Sequence, residues 1–336
     1  MNRKKQIITI SILLSLLLIL VIFSLCVGKY YVSASDCISV IYRSVFNLSQ
    51  SVNEMTQNVV LNLRLPRIMA AILVGMALSI SGLTYQSIFQ NPLVSPDFLG
   101  VSTGACIGAA VAIILGFTSV YVSLFAFGFG IIAVAISVSI PLLIKNKSNI
   151  TLVLSGIIVS SLMSSILGFI KYTADPESEL ASITYWTMGS FSYVSVNDLR
   201  LMLIVLIPSI IVLFLMSYWI DVLSLGIDEA QTLGANVKLI RTIAIISSTL
   251  LTACSVCVAG TIGWVGLIIP HFSRMLVGSS NRKAMPISIL LGGIFMLLVD
   301  TITRTIGINE MPISIMTGII GAPFFIWLLF KRRNQL

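Results

Sequence analysis

The sequence predicts an all-α, polytopic membrane protein. Hydrophobic residues make up 57% of the 336 residues, charged residues make up only 10%, and the mean hydropathy is +1.06. A soluble protein of this length could not bury so much apolar surface. The apolar residues also form about ten runs long enough to cross a bilayer as helices. Basic residues gather at the ends of these runs and form no patch suited to nucleic acid.

The predicted spans follow one another along the whole chain. The first, residues 7–28, follows three basic residues and is long enough for an uncleaved span rather than a signal peptide. Hydropathy places the others at 68–88, 98–116, 118–144, 150–171, 199–219, 240–260, 262–278, 286–304 and 312–330. The third and fourth runs nearly touch and Pro270 interrupts the eighth, so hydropathy alone also admits nine or eleven helices.

The distribution of charge predicts that both termini are cytoplasmic. With the N-terminus inside, twelve basic residues fall in cytoplasmic segments and seven in outer segments, which obeys the positive-inside bias. The twelve are Arg3, Lys4, Lys5, Lys145, Lys147, Lys238, Arg241, Arg282, Lys283, Lys331, Arg332 and Arg333. Arg274 remains inside a predicted span.

A polar stretch, Asp221–Arg241, separates the sixth and seventh spans and falls on the cytoplasmic side. Small and apolar residues recur in it every three or four positions, at Ala230, Leu233, Val237 and Ile240. This period predicts one amphipathic helix over 228–240, with Asp228 as its N-cap and Lys238 near its C-terminus. Such a helix offers a contact surface to a soluble cytoplasmic partner.

The longest outer loop, residues 171–198, carries acidic residues first and aromatic residues near the returning span. Its aromatic part, around Trp186 and Tyr193, suits an aromatic belt at the membrane interface. It equally suits a short re-entrant helix that caps a pathway. Composition does not separate the two interpretations.

The sequence contains none of the common catalytic motifs. It has no P-loop, no G-x-S-x-G and no H-E-x-x-H, and its one histidine is His271. His271 follows Pro270 and is expected to bond a backbone carbonyl freed by the kink rather than a metal. Cys254 and Cys257 lie inside an apolar run, where packing is their expected role. The sequence therefore predicts no catalytic residues, no metal site and no cofactor, and it assigns the energy source to another chain.

Three arginines lie on the predicted outer side, where the charge bias disfavours cations. Arg64 and Arg67 precede the second span, and Arg304 follows Asp300 by four residues at the end of the ninth. One interpretation is snorkelling to lipid headgroups, with Asp300 and Arg304 as a helical ion pair. The other is a docking surface for a protein that bears carboxylates, which arginine binds through bidentate hydrogen bonds.

Five segments, in order, resemble the permease family of ABC importers for iron–siderophore complexes, haem and cobalamin. They are RLPRIMAAILVGMALSISGLTYQSIFQNPLVSPDFLGVSTGA, YWTMGSF, LGANVKLIR, GTIGWVGLIIPHFSR and EMPISIMTGIIGAPFFIWLL. With their spacing they cover nearly all of residues 64–331, whereas the first sixty residues match only as a span and a loop. The resemblance implies one permease domain over 1–336, with ten spans, cytoplasmic termini and a short outer helix at YWTMGSF, in a bacterial plasma membrane.

The resemblance also implies partners: a second permease subunit, identical or paralogous, two cytoplasmic ATPase subunits and an extracytoplasmic binding protein. The residues that match the family's ATPase-coupling helix are Glu229, Ala230, Leu233 and Gly234. The arginines that match those meeting acidic residues of the binding protein are Arg64, Arg67 and Arg304. The residues that match positions of the cytoplasmic gate are Asn91, Leu93, Ser148 and Asn149.

The implied function is that of the permease of an ATP-driven importer. Iron–siderophore complexes are the family's commonest cargo, and haem and cobalamin are the alternatives. The helix with Ala230 and Gly234 is expected to transmit closure of the ATPases to the spans, which tilt as rigid bodies. A secondary carrier would leave Asp221–Arg241 unexplained, and a zinc or manganese permease would be shorter and richer in histidine. A scaffold without transport is the remaining alternative.

Overall fold

A computed structural model describes residues 3–46, 53–145, 148–306 and 310–333; Lys147, one of the predicted cytoplasmic cations, lies outside them. The described residues form helices and connecting turns, with no strand among them. The α-helices are α1 Arg3–Cys26, α2 Ala34–Val45, α3 Glu54–Asn58, α4 Leu65–Ile88, α5 Val101–Ile114, α6 Ser119–Leu143, α7 Asn149–Thr173, α8 Glu179–Met188, α9 Val196–Leu223, α10 Ile227–Thr232, α11 Val237–Ala259, α12 Val265–Val277, α13 Asn281–Thr303 and α14 Ile313–Arg333. A π-helical segment, Val59–Arg64, joins α3 to α4, and a 3₁₀ turn, Pro96–Leu99, precedes α5.

All ten predicted apolar runs are helical, which confirms the all-α membrane fold. In the described part of the chain, seven helices are long and apolar enough to cross a membrane. Three further apolar helices are shorter: Val101–Ile114, Val265–Val277 and Ile313–Trp327. The count of ten crossing helices and the orientation of the chain stay predictions.

Two predicted spans, 98–116 and 262–278, contain helices about two thirds as long as a full crossing requires. At 1.5 Å per residue, α5 and α12 are only about 20 Å long, against about 30 Å for the apolar core of a bilayer. The start of α12 lies inside the bundle, since a Cβ added to Gly266 would be 2.2 Å from Pro96 Cγ and 2.8 Å from the Leu78 carbonyl oxygen. Surrounding protein therefore covers the non-helical backbone before both helices, as lipid could not.

The helix α4 forms the centre of the bundle. Of its 24 residues, 21 are buried. It continues the helical path from Glu54, so this helix is longer than the predicted span 68–88. The apolar part of the whole Glu54–Ile88 helix is 89% buried in protein, against 22% for α7 and for α9, which lie at the periphery.

Small residues allow close approach of helices at several contacts in the bundle. A Cβ added to Gly75 in α4 would lie 2.1 Å from the Gly292 carbonyl oxygen in α13. Gly104 and Gly108 approach the backbone of α6 in the same way. A Cβ added to Gly263, by contrast, would meet nothing within 4 Å.

The two ends of the bundle are named here by their short helices. The α8 end carries α8, which confirms the short helix implied at YWTMGSF. The α10 end carries α10 and the starts of α7, α11 and α13. The predicted topology places the α8 end outside and the α10 end in the cytoplasm.

Candidate functional site

The polar stretch at the α10 end contains a helix break, so the prediction of a single helix over 228–240 is wrong. The break occurs because Gly234 adopts a left-handed conformation, with φ of +80°. Two backbone bonds close the turn, from Ala235 N to the Ala230 carbonyl and from Gly234 N to the Gln231 carbonyl, both at 2.9 Å. This is the pattern of a Schellman C-cap.

The caps of these helices also differ from the prediction. Asp228 is not an N-cap, because α10 begins one residue earlier and Gly226 holds the cap position without a side-chain bond. Asn236 instead caps α11, where its Oδ1 accepts a hydrogen bond from Leu239 N at 3.1 Å. Asp228 lies in the first turn of α10, where a carboxylate is favoured by the helix dipole.

The four predicted coupling residues divide into one that is buried and three that are exposed. Ala230 is completely buried and packs α10 against the bundle, so its side chain is not on the exposed surface, and its coupling role stays a prediction. Glu229, Leu233 and Gly234 are exposed, and Leu233 is 59% exposed. A Cβ added to Gly234 would meet nothing within 4 Å. Leu233 and Gly234 are thus open to a partner.

The first predicted gate segment follows an unusual helix end. Gln90 lies two residues after α4 and adopts a left-handed backbone conformation, with φ of +51°. The turn is closed by bonds from Asn91 N to the Gln86 carbonyl at 3.1 Å and from Gln90 N to the Ser87 carbonyl at 3.3 Å. Asn91 Oδ1 then accepts from Leu93 N at 2.9 Å, so the Asn91 side chain builds the next turn. Asn91 and Leu93 are both exposed.

The second predicted gate segment is the start of α7. Ser148 is its N-cap, and its hydroxyl accepts from Ile150 N at 3.1 Å and Thr151 N at 3.4 Å. Asn149 Oδ1 accepts from Arg241 Nη2 at 2.5 Å. Arg241 was predicted only as a cytoplasmic cation, and no sequence pattern paired it with a residue 92 positions away.

The structure brings the two predicted gate segments close together. Val94, from the segment after α4, and Leu152, from the first turns of α7, belong to one buried apolar cluster. Phe89 and Ile245 complete the contact from α4 and α11. The helix α11, which follows α10, thus shares a buried core with both predicted gate segments.

At the α8 end, a carboxylate buried between two arginines forms an ion cluster. Arg67 Nε donates to Asp300 Oδ1 at 2.7 Å, and Arg67 Nη1 donates to Glu310 Oε1 at 2.8 Å. Arg304 Nε lies 3.8 Å from Asp300 Oδ2, which confirms the predicted helical ion pair. Asp300 is fully buried and both arginines are nearly so.

Arg304 and Arg64 also bond to residues at the end of α1 and just after it. Arg304 donates to the Ser24 carbonyl and, at 2.6 Å, to Ser24 Oγ. Arg64 donates to the carbonyls of Leu25, Cys26 and Tyr30. Snorkelling and an exposed docking surface both require accessible guanidinium groups. In the structure, Arg64, Arg67 and Arg304 are all buried. A docking role for Arg64, Arg67 and Arg304 stays a prediction, and it requires these bonds to open.

Glu310 lies at the border between this ion cluster and open solvent. Burial opposes ionisation of its carboxyl, but the hydrogen bond from Ser192 and the charge of Arg67 outweigh burial. The pKa of Glu310 therefore lies below its usual value of 4.5.

A cleft of about 830 Å³ opens at the α8 end beside this cluster. Its walls include the aromatic rings of Tyr185 and Trp186 from α8. Its charged lining residues, among those the structure describes, are Lys29, Asp198 and Glu310. No group of three His, Cys, Asp or Glu residues suited to a metal ion occurs in the described ranges.

Close backbone contact fixes α8 to the connection between α11 and α12. Gly189 has φ of +78°, and a Cβ there would lie 2.8 Å from the Ala259 carbonyl oxygen. Ser190 N donates to that same carbonyl at 3.0 Å, and Ile313 N donates to the Gly189 carbonyl at 3.1 Å. The loop predicted to be either an aromatic belt or a re-entrant cap is therefore a helix held firmly over the cleft.

A bundle of long and shorter helices, with a cleft at one end and an exposed short helix at the other, defines a membrane permease. The sequence matches the FecCD transport family over residues 16–331, and the chain belongs to that family. It is the permease of an ABC importer and an integral protein of the plasma membrane.

Two relatives and one solved structure illustrate the range of this family. The molybdate import system permease protein MolB of Haemophilus influenzae is 38% identical over 319 residues, which cover 95% of this chain and 94% of that protein. An iron chelatin transport system permease protein of Helicobacter pylori is 39% identical over 276 residues, which cover 82% of this chain and 83% of that protein. An inward-facing structure of a metal-chelate type ABC transporter has a TM-score of 0.86 and 37% identity, and the match covers 96% of this chain and 98% of that one.

Proposed function

We propose that this permease carries a bulky ferric chelate of the siderophore type. The cleft at the α8 end supports this cargo. Its volume of about 830 Å³ lies in the range of pockets that enclose ligands of several hundred daltons. A tetrahedral oxyanion such as molybdate would fill only a small part of it.

The charges near the cleft also favour a chelate over an oxyanion. Two carboxylates and one lysine line the described part of the cleft, and Glu310 is paired with Arg67, so this lining offers a dianion no cluster of cations. Oxyanions are best bound by arginine forks or clustered backbone donors. Arg64, Arg67 and Arg304, which lie at this end, already donate to groups within the chain.

Molybdate is the second candidate cargo, because MolB is 38% identical over nearly the full length. Haem and cobalamin remain alternatives from the resemblance. The decisive experiment is uptake by proteoliposomes that contain the chain with its co-purified ATPase and binding protein. We expect ATP-dependent uptake of a radio-iron trihydroxamate siderophore that excess molybdate does not inhibit. Uptake of labelled molybdate without iron uptake would establish the second candidate, and uptake without ATP or soluble subunits would establish a secondary carrier.

The ATPase is proposed to bind at the α10 end. The exposed leucines Leu225 and Leu233 flank α10, and Gly234 beside them leaves room for a close neighbour. Exposed apolar side chains within a polar segment are typical of a binding surface. Two ATPase subunits and a second permease subunit, identical or paralogous, complete the proposed importer.

The binding protein is proposed to dock at the α8 end. Tyr31, Tyr172 and Tyr193 are highly exposed there, and Tyr193 is 93% exposed. Tyrosine is enriched both in protein interfaces and in aromatic belts at the membrane surface. Loss of binding-protein capture in a Tyr193→Ala variant, measured by co-purification, would favour docking, and unchanged capture would favour the belt.

A further inference from the structure

A polar network joins the end of α9 to the start of α13 at the α10 end. Asp221, two residues before α9 ends, accepts from Asn281 N at 2.5 Å and from Ser280 Oγ at 2.8 Å. Asn281 Nδ2 adds a third bond to Asp221 Oδ1 at 2.8 Å. Since Asn281 is the first residue of α13 and is buried, Asp221 supplies the N-terminal cap that α13 otherwise lacks.

The same network reaches the end of α4. Ser87 Oγ donates to Asn281 Oδ1 at 2.7 Å. Arg274 of α12 donates to Ser87 Oγ at 3.0 Å and to Gln86 Oε1 at 2.5 Å. Arg274, the cation that the sequence leaves within a span, thus binds the last turn of α4, which directly precedes the gate segment. Four helices are joined at this one place.

A second and direct link runs from α4 to α9. Gln90 Nε2 donates to the Leu223 carbonyl at 3.0 Å. Gln90 is the last residue before Asn91 of the gate segment, and Leu223 is the last residue of α9, four residues before α10 begins. The link therefore connects the segment that carries the ATPase-contact helix to the segment that carries the gate.

The backbone at Gln90 indicates that this side chain has a role beyond the turn. A C-cap in the left-handed region is usually glycine, and a residue with a Cβ pays a strain of about 1 kcal/mol or more there. Lys145 has a similar φ, so strain alone assigns no role, but at Gln90 the strain coincides with a side-chain bond to a second helix. The bond to Leu223 is the one hydrogen bond that the described structure shows for the side-chain amide of Gln90. Glycine has no side chain and could not make it.

We propose that Gln90 is a positioning residue that carries movement of α10 to the gate segment Asn91–Pro96. This inference rests on the proposed ATPase contact at α10. A displacement of α10 pulls on the end of α9, and the Leu223–Gln90 bond passes it to the backbone of Asn91. The Asp221–Asn281–Ser87 bonds hold the same two helix ends at a second point, so the ends move together as one body.

The test compares Gln90→Gly with Lys145→Gly in the full complex. Glycine adopts the required φ without strain, so Gln90→Gly loses the bond to Leu223 without loss of fold. Lys145 is a matched control, because it also ends a helix at the α10 end with a positive φ, of +57°, and its side chain is exposed. The native chain and both variants are purified with the ATPase, and hydrogen exchange of residues 91–99 is measured with and without a non-hydrolysable ATP analogue.

We expect the nucleotide to change exchange of this segment in the native chain and in Lys145→Gly. In Gln90→Gly we expect that change to shrink by about five-fold, the factor that corresponds to loss of one neutral hydrogen bond. Thermal unfolding should show that Gln90→Gly is as stable as the native chain. A nucleotide response in Gln90→Gly equal to the native one overturns this inference alone. A native chain that binds no ATPase overturns the proposed ATPase contact and this inference with it, whereas a native chain that binds the ATPase but shows no nucleotide response in this segment overturns this inference alone.

Discussion

The two ends of the bundle are held together by different chemistry. At the α8 end, Arg67 and Arg304 are buried around the carboxylate of Asp300. At the α10 end, the charged residues Asp221 and Arg274 bond instead to amides, hydroxyls and carbonyls. The α10 end also exposes Leu233 and carries the strained Gln90.

This difference indicates which end can rearrange. Separating a buried ion pair leaves uncompensated charge in a medium of low dielectric constant, whereas a carboxylate or guanidinium that bonds neutral groups can exchange those bonds for water or a partner at lower cost. We therefore expect the α8 end to rearrange less than the α10 end. The α10 end has bonds that can be replaced by water or by a partner, as a gate requires.

The largest effect is expected from Asp300→Ala at the α8 end. This change leaves Arg67 and Arg304 buried without their carboxylate, and we expect a loss of stability of about 3–5 kcal/mol. Thermal unfolding in detergent and yield from membranes measure it. Glu177→Ala, in the exposed loop before α8, is the control. Equal stability of the two variants would contradict a charge-dependent α8 end.

The next effect is expected from Gly234→Glu at the α10 end. The change adds a side chain at φ of +80° on the surface proposed for the ATPase. We expect the chain to remain in the membrane and co-purification with the ATPase to fall about tenfold, or about 1.4 kcal/mol. Gly278→Glu is the matched control, because Gly278 has φ of +92° and is equally open. A similar loss in both variants would assign the effect to strain alone.

A smaller effect is expected from Ser148→Ala at the start of α7. The hydroxyl caps two backbone N–H groups, and loss of such a cap reduces stability by about 1 kcal/mol. Ser178→Ala is the comparison at the α8 end, because Ser178 holds the N-cap position of α8 without a side-chain cap bond. Thermal unfolding should rank Ser148→Ala below Ser178→Ala. The reverse order would show that the cap of α7 is not a stabilising contact.

The smallest effect is expected from Glu310→Gln, and it depends on pH. Because the folded-state pKa of Glu310 is lowered, its contribution is complete above about pH 4.5 and is lost as the pH falls through the folded-state pKa. The side chain is 36% exposed, so the contribution is below about 1 kcal/mol. Stability measured between neutral and acidic pH should therefore fall less in Glu310→Gln than in the native chain. An identical pH dependence would mean that Glu310 does not stabilise Arg67.

The sequence predicts the helices well because apolar runs report directly on contact with lipid or protein. The sequence does not show how deep in the bundle a helix begins. Hydropathy therefore predicts full spans for α5 and α12, although both helices begin inside the bundle. The break at Gly234 has a sequence signal, since glycine after a periodic run is a common helix stop. The period of Ala230, Leu233, Val237 and Ile240 continued across that glycine by coincidence and concealed it.

The bonding of the outer arginines could not be predicted from the sequence. Arg67 meets Asp300 across 233 positions of the chain, and Arg304 meets Ser24 across 280. Local charge bias placed these arginines on one side of the membrane, but only the packing of α4, α13 and α1 shows that they are internal. Gln90, Ser87 and Arg274 lie in segments that resemble the permease family, but no local pattern in the sequence predicts the partners to which they bond.

The burial of α4 has a consequence for how this sequence can vary. Within α4, the three residues that are not buried are Leu65, Met69 and Met76, which lie along one stripe of the helix. All the remaining positions of α4 are buried against protein, and Gly75 has no space for even one more carbon atom. In a saturation-mutagenesis experiment, α4 is therefore expected to be the least tolerant long helix, with substitutions accepted mainly along the Leu65–Met69–Met76 stripe.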